Sequence, residues 1–160
     1  MEIRPAQSTE AGSLTKIAQS AKAYWGYPAA WLHEWRDLLT ITPHFIEANE
    51  TFAAVVEGEI VGFYSLLVHE GTLRLEHLWV APEQIRRGIG RQLFEHAGGR
   101  ARAHGAPSLI VEADPNAETF YRHMGAVKIG AITTTIEGHP RELPLLSLDL
   151  IKPLDPGENS

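Results

Sequence analysis

The stretch that decides the fold spans residues 73–104 and reads LRLEHLWVAPEQIRRGIGRQLFEHAGGRARAH. Residues 73–80 are rich in bulky apolar side chains and predict a strand, which Pro82 ends because proline has no N–H for a ladder hydrogen bond. From Ile89 onward, apolar residues recur at helical spacing, so this part predicts a helix with one buried face. The predicted buried positions on that face are Ile89, Leu93, Phe94, Ala97 and Ala101.

The turn between this strand and this helix predicts a phosphate-binding site. The turn, which we call the glycine turn, comprises Arg86-Arg87-Gly88-Ile89-Gly90-Arg91. The first N–H groups of a helix have no partner within the helix, and the helix dipole adds about half a positive charge there. Two glycines leave this backbone accessible to phosphate oxygens, and three arginines add positive charge. The alternative is a tight turn that binds no ligand.

Two familiar nucleotide motifs do not fit the glycine turn. A Walker loop ends in Gly-Lys-Ser/Thr, which is absent, and a complete Gly-x-Gly-x-x-Gly fingerprint would need a third glycine where Leu93 stands. Residues 108–113 then predict a buried strand, followed by Asp114-Pro-Asn-Ala-Glu-Thr-Phe-Tyr-Arg-His-Met-Gly125. This later segment gives the glycine turn a specific context.

Together the two segments resemble the GCN5-related N-acetyltransferase (GNAT) superfamily. The acetyl-CoA site of that family combines an R/Q-x-x-G-x-G/A turn with a later Asn…Phe/Leu-Tyr…Gly-Phe helix. The resemblance extends from Ile3 to about Leu150 and is specific between Glu76 and Gly125. It implies a GNAT-like acyl-CoA N-acyltransferase fold with acetyl-CoA as the cosubstrate.

The chain departs from the family pattern at two positions. The first residue of the family turn is here Ile85, whose side chain cannot help the phosphates. The family binds them mainly through backbone N–H groups, and Arg86 and Arg87 can supply the missing charge. The family Asn usually precedes the Tyr by seven residues, a place held here by Asp114, with Asn116 two residues later. The choice between Asp114 and Asn116 for that role stays open.

The order of predicted elements indicates a mixed α/β layered fold rather than an alternating doubly wound one. One strand, two helices and three strands precede a helix, a strand, a helix and two final strands. In the resembled family, a central mixed sheet is flanked by helices, and the strands before and after the glycine-turn helix splay apart to admit the pantetheine arm. The predicted strands are residues 1–5, 51–57, 59–70, 73–80, 108–113, 126–135 and 143–151. The predicted helices begin after Ser8 or Thr9, at Ala29 (to residue 39), at Ile89 and after Asp114, and a short helical turn is predicted at Pro43.

Length, charge and composition exclude several classes of function. We expect 160 residues to form a single domain, residues 1–152, with a flexible tail at residues 153–160. A net charge of −6 argues against general nucleic-acid or membrane binding, and the absence of cysteine excludes a disulfide framework and thiolate chemistry. No apolar run approaches a membrane span, the first residues lack a signal-peptide pattern, and the eight histidines lack zinc spacing. We therefore expect a soluble cytoplasmic protein without a metal, and allow for a homodimer.

The resemblance assigns roles to individual residues. The residues assigned to acetyl-CoA binding are Leu78, Trp79, Val80, Arg86, Arg87, Gly88, Ile89, Gly90, Arg91 and Asn116. A protonated amine must lose a proton before it attacks, so a general base is needed. Glu76 is the first candidate and His77 the second, and the alternative for Glu76 is a surface or salt-bridged strand residue. Tyr121 matches the family tyrosine that protonates the departing thiolate; a packed helix tyrosine is its alternative.

Three further residues are candidates for acceptor binding. Trp25 and Tyr27 flank Gly26 in a segment that covers the acceptor site in the resembled family, although these aromatics could equally pack a helix pair onto the sheet. Arg141 lies in the segment predicted to join the last two strands. It is either a solvated loop charge or a bidentate donor to a carboxylate on the acceptor.

We therefore predict an N-acetyltransferase that transfers the acetyl group of acetyl-CoA to a small-molecule or peptide amine by direct attack. The first alternative is a catalytically inactive CoA-binding module that acts as a regulator or sensor. A nucleotide-binding oxidoreductase is disfavoured by the missing third glycine and the lack of βαβ alternation. A plain interaction protein would leave the cluster of arginines and glycines unexplained.

Overall fold

A computed structural model describes residues 1–151 of the chain, so the tail predicted at residues 153–160 lies outside the described residues. The elements are, in order, β1 (Glu2–Pro5), α1 (Ala11–Tyr24), α2 (Ala29–Glu34), α3 (Pro43–Ala48), β2 (Thr51–Val56), β3 (Glu59–His69), β4 (Thr72–Val80), α4 (Ile89–Ala103), β5 (Ser108–Glu112), α5 (Glu118–His123), β6 (Val127–Ile136) and β7 (His139–Asp149). Short 3₁₀ turns lie at Ser8–Glu10, Pro82–Gln84 and Pro115–Ala117.

The seven strands form one sheet in the order β1-β2-β3-β4-β5-β7-β6. All neighbouring strands are antiparallel except β4 and β5, which are parallel and joined through α4. The predicted mixed α/β sheet with flanking helices is therefore confirmed. No helix within residues 1–151 is both long and apolar enough to cross a bilayer.

The centre of the sheet is opened where β4 and β5 meet. Only one residue pair, Arg74 and Ile110, joins the two strands, and beyond it they separate towards their carboxyl ends. The neighbouring pairs β3–β4 and β5–β7 run through eight and five residue pairs respectively. The splayed arrangement expected from the resemblance is thus present, and it leaves unpaired backbone along both facing edges.

Two hydrophobic cores cover the two faces of this sheet. The predicted apolar face of α4 is buried against one face, as expected from its helical spacing. On the opposite face, α1 and the segment around α3 pack over Phe63. The largest fully buried side chains of the α4 side are Tyr64, Phe94, Leu93, Leu109 and Leu146. The two layers hold β4 and the start of α4 in fixed positions.

Several predicted boundaries were wrong. Helix α2 ends at Glu34 rather than at residue 39, because the chain turns there and the Trp35 ring packs edge-on against Tyr27 at 4.9 Å. The start of α1 is not capped by Ser8 or Thr9, since a 3₁₀ turn precedes it, and the Glu10 carboxylate accepts the backbone N–H of Gln7 at 2.8 Å.

The last strand was predicted to begin at Leu143, but β7 begins at His139. Glu137 and Gly138 have positive φ angles of 46° and 75°, so they form a tight two-residue hairpin turn that starts the pairing earlier. Pro140 is accommodated within β7 because β5 pairs only with residues 145–149, and the proline therefore has no ladder bond to give on that side.

Candidate active site

A cavity of about 470 Å³ opens where β4 and β5 separate. Its walls come from the ends of α1, β4 and β5, the beginning of α4 and the segment leading into α5. The predicted site residues that line it are Trp25, Glu76, His77, Leu78, Trp79, Val80, Arg86, Gly88, Ile89, Gly90, Arg91, Asn116 and Tyr121. Three predicted residues, Tyr27, Arg87 and Arg141, do not line it. A second cavity of about 700 Å³ lies at the other end of β4 and contains none of the predicted residues.

The glycine turn presents uncapped backbone to the cavity. Gly88 is the N-cap residue of α4, and no side chain caps this helix end. Gly88 has a φ of 79°, a left-handed conformation that glycine adopts without strain. The N–H groups of the next three residues have no acceptor within the helix, and a Cβ on Gly88 would meet no atom within 4 Å. The helix end is therefore an open set of donors at the positive end of the dipole.

Strand β4 directs alternate N–H groups into the gap. The N–H of Ala81 donates to the carbonyl of Val61 on β3 at 2.8 Å. Because backbone donors alternate sides along a strand, Trp79 also points its N–H towards β3, whereas Leu78 and Val80 point theirs towards β5. No residue of β5 pairs with this part of β4 among the described residues. Two main-chain donors therefore face the cavity.

Glu76 is an inserted residue in β4. Ser65 of β3 pairs with His77 and Leu66 pairs with Leu75, so Glu76 has no cross-strand partner and forms a β-bulge. A bulge redirects a side chain out of the regular alternation. Glu76 is exposed, lines the cavity, and forms no salt bridge among residues 1–151. Its carboxylate is thus free to meet a ligand.

His77 is in a different state from its neighbour. The Trp79 indole N–H donates to Nδ1 of His77 at 3.0 Å, so the lone pair of that nitrogen is engaged. Burial lowers the pKa of His77 to about 4, and the rings of Phe45 and Phe63 lie 5.7 and 6.0 Å away. The imidazole is therefore neutral at physiological pH, with its proton on Nε2.

Tyr121 lies at the inner end of the cavity. Its ring packs edge-on against Phe94 and Phe120, with centroids 5.5 and 5.1 Å apart. Burial raises the pKa of Tyr121 above its usual range, and the negative charge of Asp114 raises it further. The phenol consequently keeps its proton at neutral pH. Packing and a proton-donating role are compatible at this position.

Asp114 forms the centre of a buried polar network. Its carboxylate accepts from Lys22 Nζ at 2.5 Å, from the Tyr27 hydroxyl at 2.9 Å and from the Asn116 backbone N–H at 2.8 Å. Burial alone would raise the pKa of Asp114, but the hydrogen bond and positive charge of Lys22 outweigh it and hold that pKa below its usual range. Asp114, at the family Asn position, thus binds Lys22 near the end of α1 and Tyr27 in the loop that follows.

Arg141 joins the same network from β7. Its Nη2 donates to the Tyr27 hydroxyl at 2.8 Å and lies 3.9 Å from the Asp114 carboxylate. The Arg141 side chain is only 11% exposed and belongs to a strand, so its interpretation as a solvated loop charge was wrong. We call Lys22, Tyr27, Asp114 and Arg141 the charge cluster.

The chain is similar to known proteins over most of its length. Residues 31–135 match the family model described as "Acetyltransferase (GNAT) domain". The chain belongs to the GNAT acetyltransferase family. The predicted family, N-acetyltransferase activity and use of acetyl-CoA are thereby confirmed.

Individual GNAT relatives differ in what they acetylate. The chain is 29% identical over 127 residues to peptidyl-lysine N-acetyltransferase YiaC of Escherichia coli K12, covering 77% of this chain and 81% of that protein. It is 35% identical over 100 residues to streptothricin acetyltransferase of Streptomyces lavendulae, covering 59% of this chain and 53% of that protein. The crystal structure of the putative acetyltransferase yncA of Salmonella typhimurium with acetyl-CoA superposes with a TM-score of 0.74 at 18% identity, covering 98% and 97% of the two chains. That likeness supports the fold.

The structure places the aromatic residues around Gly26 in two different environments. Trp25, 43% exposed, and Tyr24, 56% exposed, line this GNAT cavity, whereas Tyr27 stacks against Trp31 at 5.8 Å and is held by Asp114. Tyr24 and Trp25 are therefore placed where an acceptor could contact them, whereas Tyr27 packs in the protein interior.

The prediction also missed Lys22, which pairs with a carboxylate 92 residues away. The only signal was indirect, in the acidic residue at the family Asn position.

Proposed function

We propose that this GNAT acetyltransferase acetylates a primary amine by direct transfer, with Glu76 as general base and Tyr121 as general acid. The observation that carries the proposal is that one cavity holds an accessible carboxylate, a buried protonated phenol and an uncapped helix N-terminus. These are the three devices that the reaction needs: a base for the ammonium, an acid for the leaving sulfur and a cradle for phosphates.

The cavity suits the cosubstrate on the chemistry of its donors. Acetyl-CoA, when bound, supplies the acetyl group as an activated thioester. The uncapped N–H groups of Ile89, Gly90 and Arg91 would hold its phosphates, with Arg86 adding charge. Asn116 is exposed at the cavity wall and would supply a further polar contact. Arg87 does not reach the cavity and would act through its longer-range charge.

The main-chain donors of β4 support a polarising role. The N–H groups of Leu78 and Val80 face the gap, and a preorganised donor aimed at a developing negative oxygen is typically worth about 3–4 kcal/mol. Trp79 contributes through its side chain, which orients His77. We therefore assign the carbonyl contact to Leu78 or Val80.

The choice of base favours Glu76 over His77. The bulge turns the Glu76 carboxylate to the cavity, where it has no competing cation among the described residues. Nδ1 of His77 is occupied by the Trp79 indole and Nε2 carries the proton, so neither nitrogen can accept a proton from the amine. With a pKa of about 4, His77 would also be a weak base.

Tyr121 suits the acid role because it lines the cavity and carries its proton at neutral pH, as a phenol with an ordinary pKa of about 10 also would. Burial and the charge of Asp114 raise its pKa, so the proton would move only as negative charge develops on the departing sulfur. The ring contacts with Phe94 and Phe120 fix its direction. Loss of the hydroxyl should therefore affect the chemistry more than the packing.

The rim of the cavity supports a cationic amine as the acceptor. The exposed faces of Tyr24 and Trp25 can contact an alkyl chain or a cation, and Glu76 attracts an ammonium group. The names of the two relatives, a peptidyl-lysine acetyltransferase and a streptothricin acetyltransferase, are consistent with amine acceptors on either peptides or small molecules.

The proposal is tested by incubating the protein with acetyl-CoA and a panel of amines, while measuring release of the free thiol. We expect amine-dependent thiol release and an acetylated amine of the matching mass. If bound CoA is detected by mass spectrometry but no amine supports release, the protein is the inactive sensor alternative.

Cytoplasmic location, a homodimer and the lack of nucleic-acid or membrane binding stay predictions. Cell fractionation tests the location, sedimentation tests the homodimer, and binding assays test for nucleic acid and membranes.

A further inference from the structure

The charge cluster contains more positive than negative charge. Lys22 and Arg141 are cationic and Asp114 is anionic, and their side chains are 12%, 11% and 8% exposed. Tyr27 adds no charge, because burial and the neighbouring Asp114 raise its pKa to about 12. The cluster thus keeps one uncompensated positive charge in a largely desolvated place. Buried charges are normally paired, so this excess points to an anion that is not part of the protein.

The excess charge is located on Arg141. Asp114 is already occupied by Lys22, Tyr27 and Asn116 within hydrogen-bond distance, whereas Arg141 lies 3.9 Å from it. A guanidinium has five N–H donors. Among residues 1–151, only the bond to the Tyr27 hydroxyl uses one of them.

The remaining donor nitrogens of Arg141 are not fully buried. Ser65 Oγ and Arg74 Nε are the buried side-chain atoms without a partner in the described chain, and no nitrogen of Arg141 is among them. The guanidinium is therefore held firmly by its stem and by Tyr27 while it keeps an open edge. A planar fork of donors with an open edge matches a carboxylate, which accepts two parallel hydrogen bonds.

Aromatic rings surround this guanidinium. Its central carbon lies 5.0 Å from the Tyr27 and Trp35 ring centroids and 5.9 Å from that of Trp31. These faces stabilise the cation without neutralising it, and they restrict the access of water on that side. An ion pair formed at the open edge is consequently stronger than one formed on an exposed arginine.

We infer that Arg141 is a carboxylate subsite of the acceptor site, so that preferred acceptors carry a carboxylate as well as the reactive amine. The inference rests on the proposed function. Tyr27 accepts hydrogen bonds from both Arg141 and Asn116, and Asn116 lines the cavity that holds Glu76. One side-chain layer thus connects the subsite to the cavity. An amino acid, or a peptide with a nearby carboxylate, has the required chemistry.

The first test compares ω-amino acids of increasing chain length, each with the alkylamine of the same length, as acceptors. We expect the best-fitting amino acid to have a KM about 10- to 100-fold below that of its alkylamine, as a hydrogen-bonded charge pair provides. Arg141→Gln should abolish this preference and Arg141→Lys should lose most of it, with the KM for acetyl-CoA unchanged. Arg36→Gln is the control, because it removes an exposed arginine near α2 and should keep the preference.

The second test does not require turnover. Glutarate, a dicarboxylate without an amine, is titrated while the fluorescence of the tryptophans is recorded, because Trp31 and Trp35 lie beside Arg141. We expect a saturable fluorescence change in the wild type and in Arg36→Gln. In Arg141→Gln, the affinity for glutarate should be at least about tenfold weaker. Thermal melting checks that each variant is folded, and Arg141→Lys keeps the charge if Arg141→Gln does not fold.

The outcomes separate the two proposals. If amines are acetylated but carboxylates bring no advantage, or the advantage survives in Arg141→Gln and Arg141→Lys, the subsite is disproved while the proposed function stands. If no amine is acetylated, the proposed function fails, and the glutarate titration still decides whether Arg141 binds carboxylates.

Discussion

The glycine turn and the charge cluster flank the same gap in the sheet but are built differently. The glycine turn consists of consecutive residues, and its donors are main-chain N–H groups at one helix end. The charge cluster consists of side chains from α1, the loop after it, the segment that follows β5, and β7, with partners up to 114 residues apart. One device therefore depends on local conformation, and the other depends on the whole fold being assembled.

This difference has consequences for how each device responds to change. Main-chain donors carry no ionisable group, so the glycine turn should be insensitive to pH and to most side-chain substitutions outside it. The charge cluster holds three ionised groups with little exposure, so neutralising Lys22 or Asp114 leaves its buried ion-pair partner uncompensated. Changes in the glycine turn should alter affinity, and changes in the charge cluster should alter stability.

The largest effect on binding is expected for Gly88→Glu. The new carboxylate would stand where phosphates are proposed to bind, and the left-handed φ of 79° adds backbone strain. We expect CoA affinity to fall by roughly 100-fold or more while the protein stays folded. Isothermal calorimetry measures the affinity, and unchanged CoA binding would refute the phosphate site.

Gly99→Glu is the matched control for that variant. Gly99 lies in the same helix on an exposed face, and a Cβ there meets no atom within 4 Å. The same added charge should leave CoA affinity almost unchanged.

The largest effect on turnover is expected for Tyr121→Phe, which keeps the ring and removes the hydroxyl. We expect turnover to fall by about 10²- to 10⁴-fold, the range for loss of a general acid, with the KM for acetyl-CoA retained. Tyr64→Phe provides the comparison, because Tyr64 is also buried but does not line the cavity. Its hydroxyl lies 2.6 Å from Nδ1 of His96, to which it is hydrogen-bonded. Equal turnover of the two variants in steady-state assays would assign Tyr121 to packing alone.

A smaller effect is expected for Glu76→Gln. Turnover at neutral pH should fall by about 10- to 100-fold, since water can partly replace an exposed carboxylate as the base. The acidic limb of the pH–rate profile should flatten. If that limb is unchanged, Glu76 is not the base, and measurement of the same profile for His77→Gln tests the second candidate.

The smallest effect on chemistry, and the clearest on stability, is expected for Asp114→Asn. Removing the ion-pair partner of buried Lys22 should cost about 3 kcal/mol in the free energy of unfolding. Chemical denaturation measures this value. Glu118→Gln is the control, because it breaks an i,i+4 surface pair with Arg122 and should cost less than about 0.5 kcal/mol.

The pH dependence of this difference has a definite sign. The pKa of Asp114 is lowered in the folded protein, so its contribution is fully present above the unfolded pKa of about 3.9 and is lost as the pH falls through the folded pKa. The gap in melting temperature between wild type and Asp114→Asn should therefore narrow below about pH 4. A gap that stays constant as the pH falls well below about 4 would contradict the assigned ion pair.

Regions built from consecutive residues could be predicted from the sequence, whereas regions built from distant residues could not. The strand, the glycine turn and the helix were predictable because a break at Pro82 and the helical spacing from Ile89 onward are local properties. All five predicted core positions of α4 are buried. Most of the predicted cosubstrate-binding residues line the cavity, because residues that are adjacent in the sequence are necessarily close in space.

The charge cluster was not predictable in the same way. No spacing in the sequence connects Lys22 to Asp114, and Arg141 was assigned to a loop because Pro140 suggested a turn. The true turn depends on Glu137, a non-glycine residue with a positive φ, which sequence patterns rarely reveal. In the folded protein, Lys22, Asp114 and Arg141 are largely buried and lie close together, although the sequence gives no sign that they meet.

The single residue pair between β4 and β5 also bears on the solubility of this protein. Unpaired strand edges normally act as templates for the addition of strands from other chains, and proteins cover or shorten them to avoid aggregation. Here two such edges face each other inside the sheet, with helices packed on both faces. Arg74, which pairs with Glu112 at 2.6 Å across the junction, ties them together at one end. The enzyme can therefore keep main-chain donors available for a ligand without presenting an unpaired strand edge to other protein molecules.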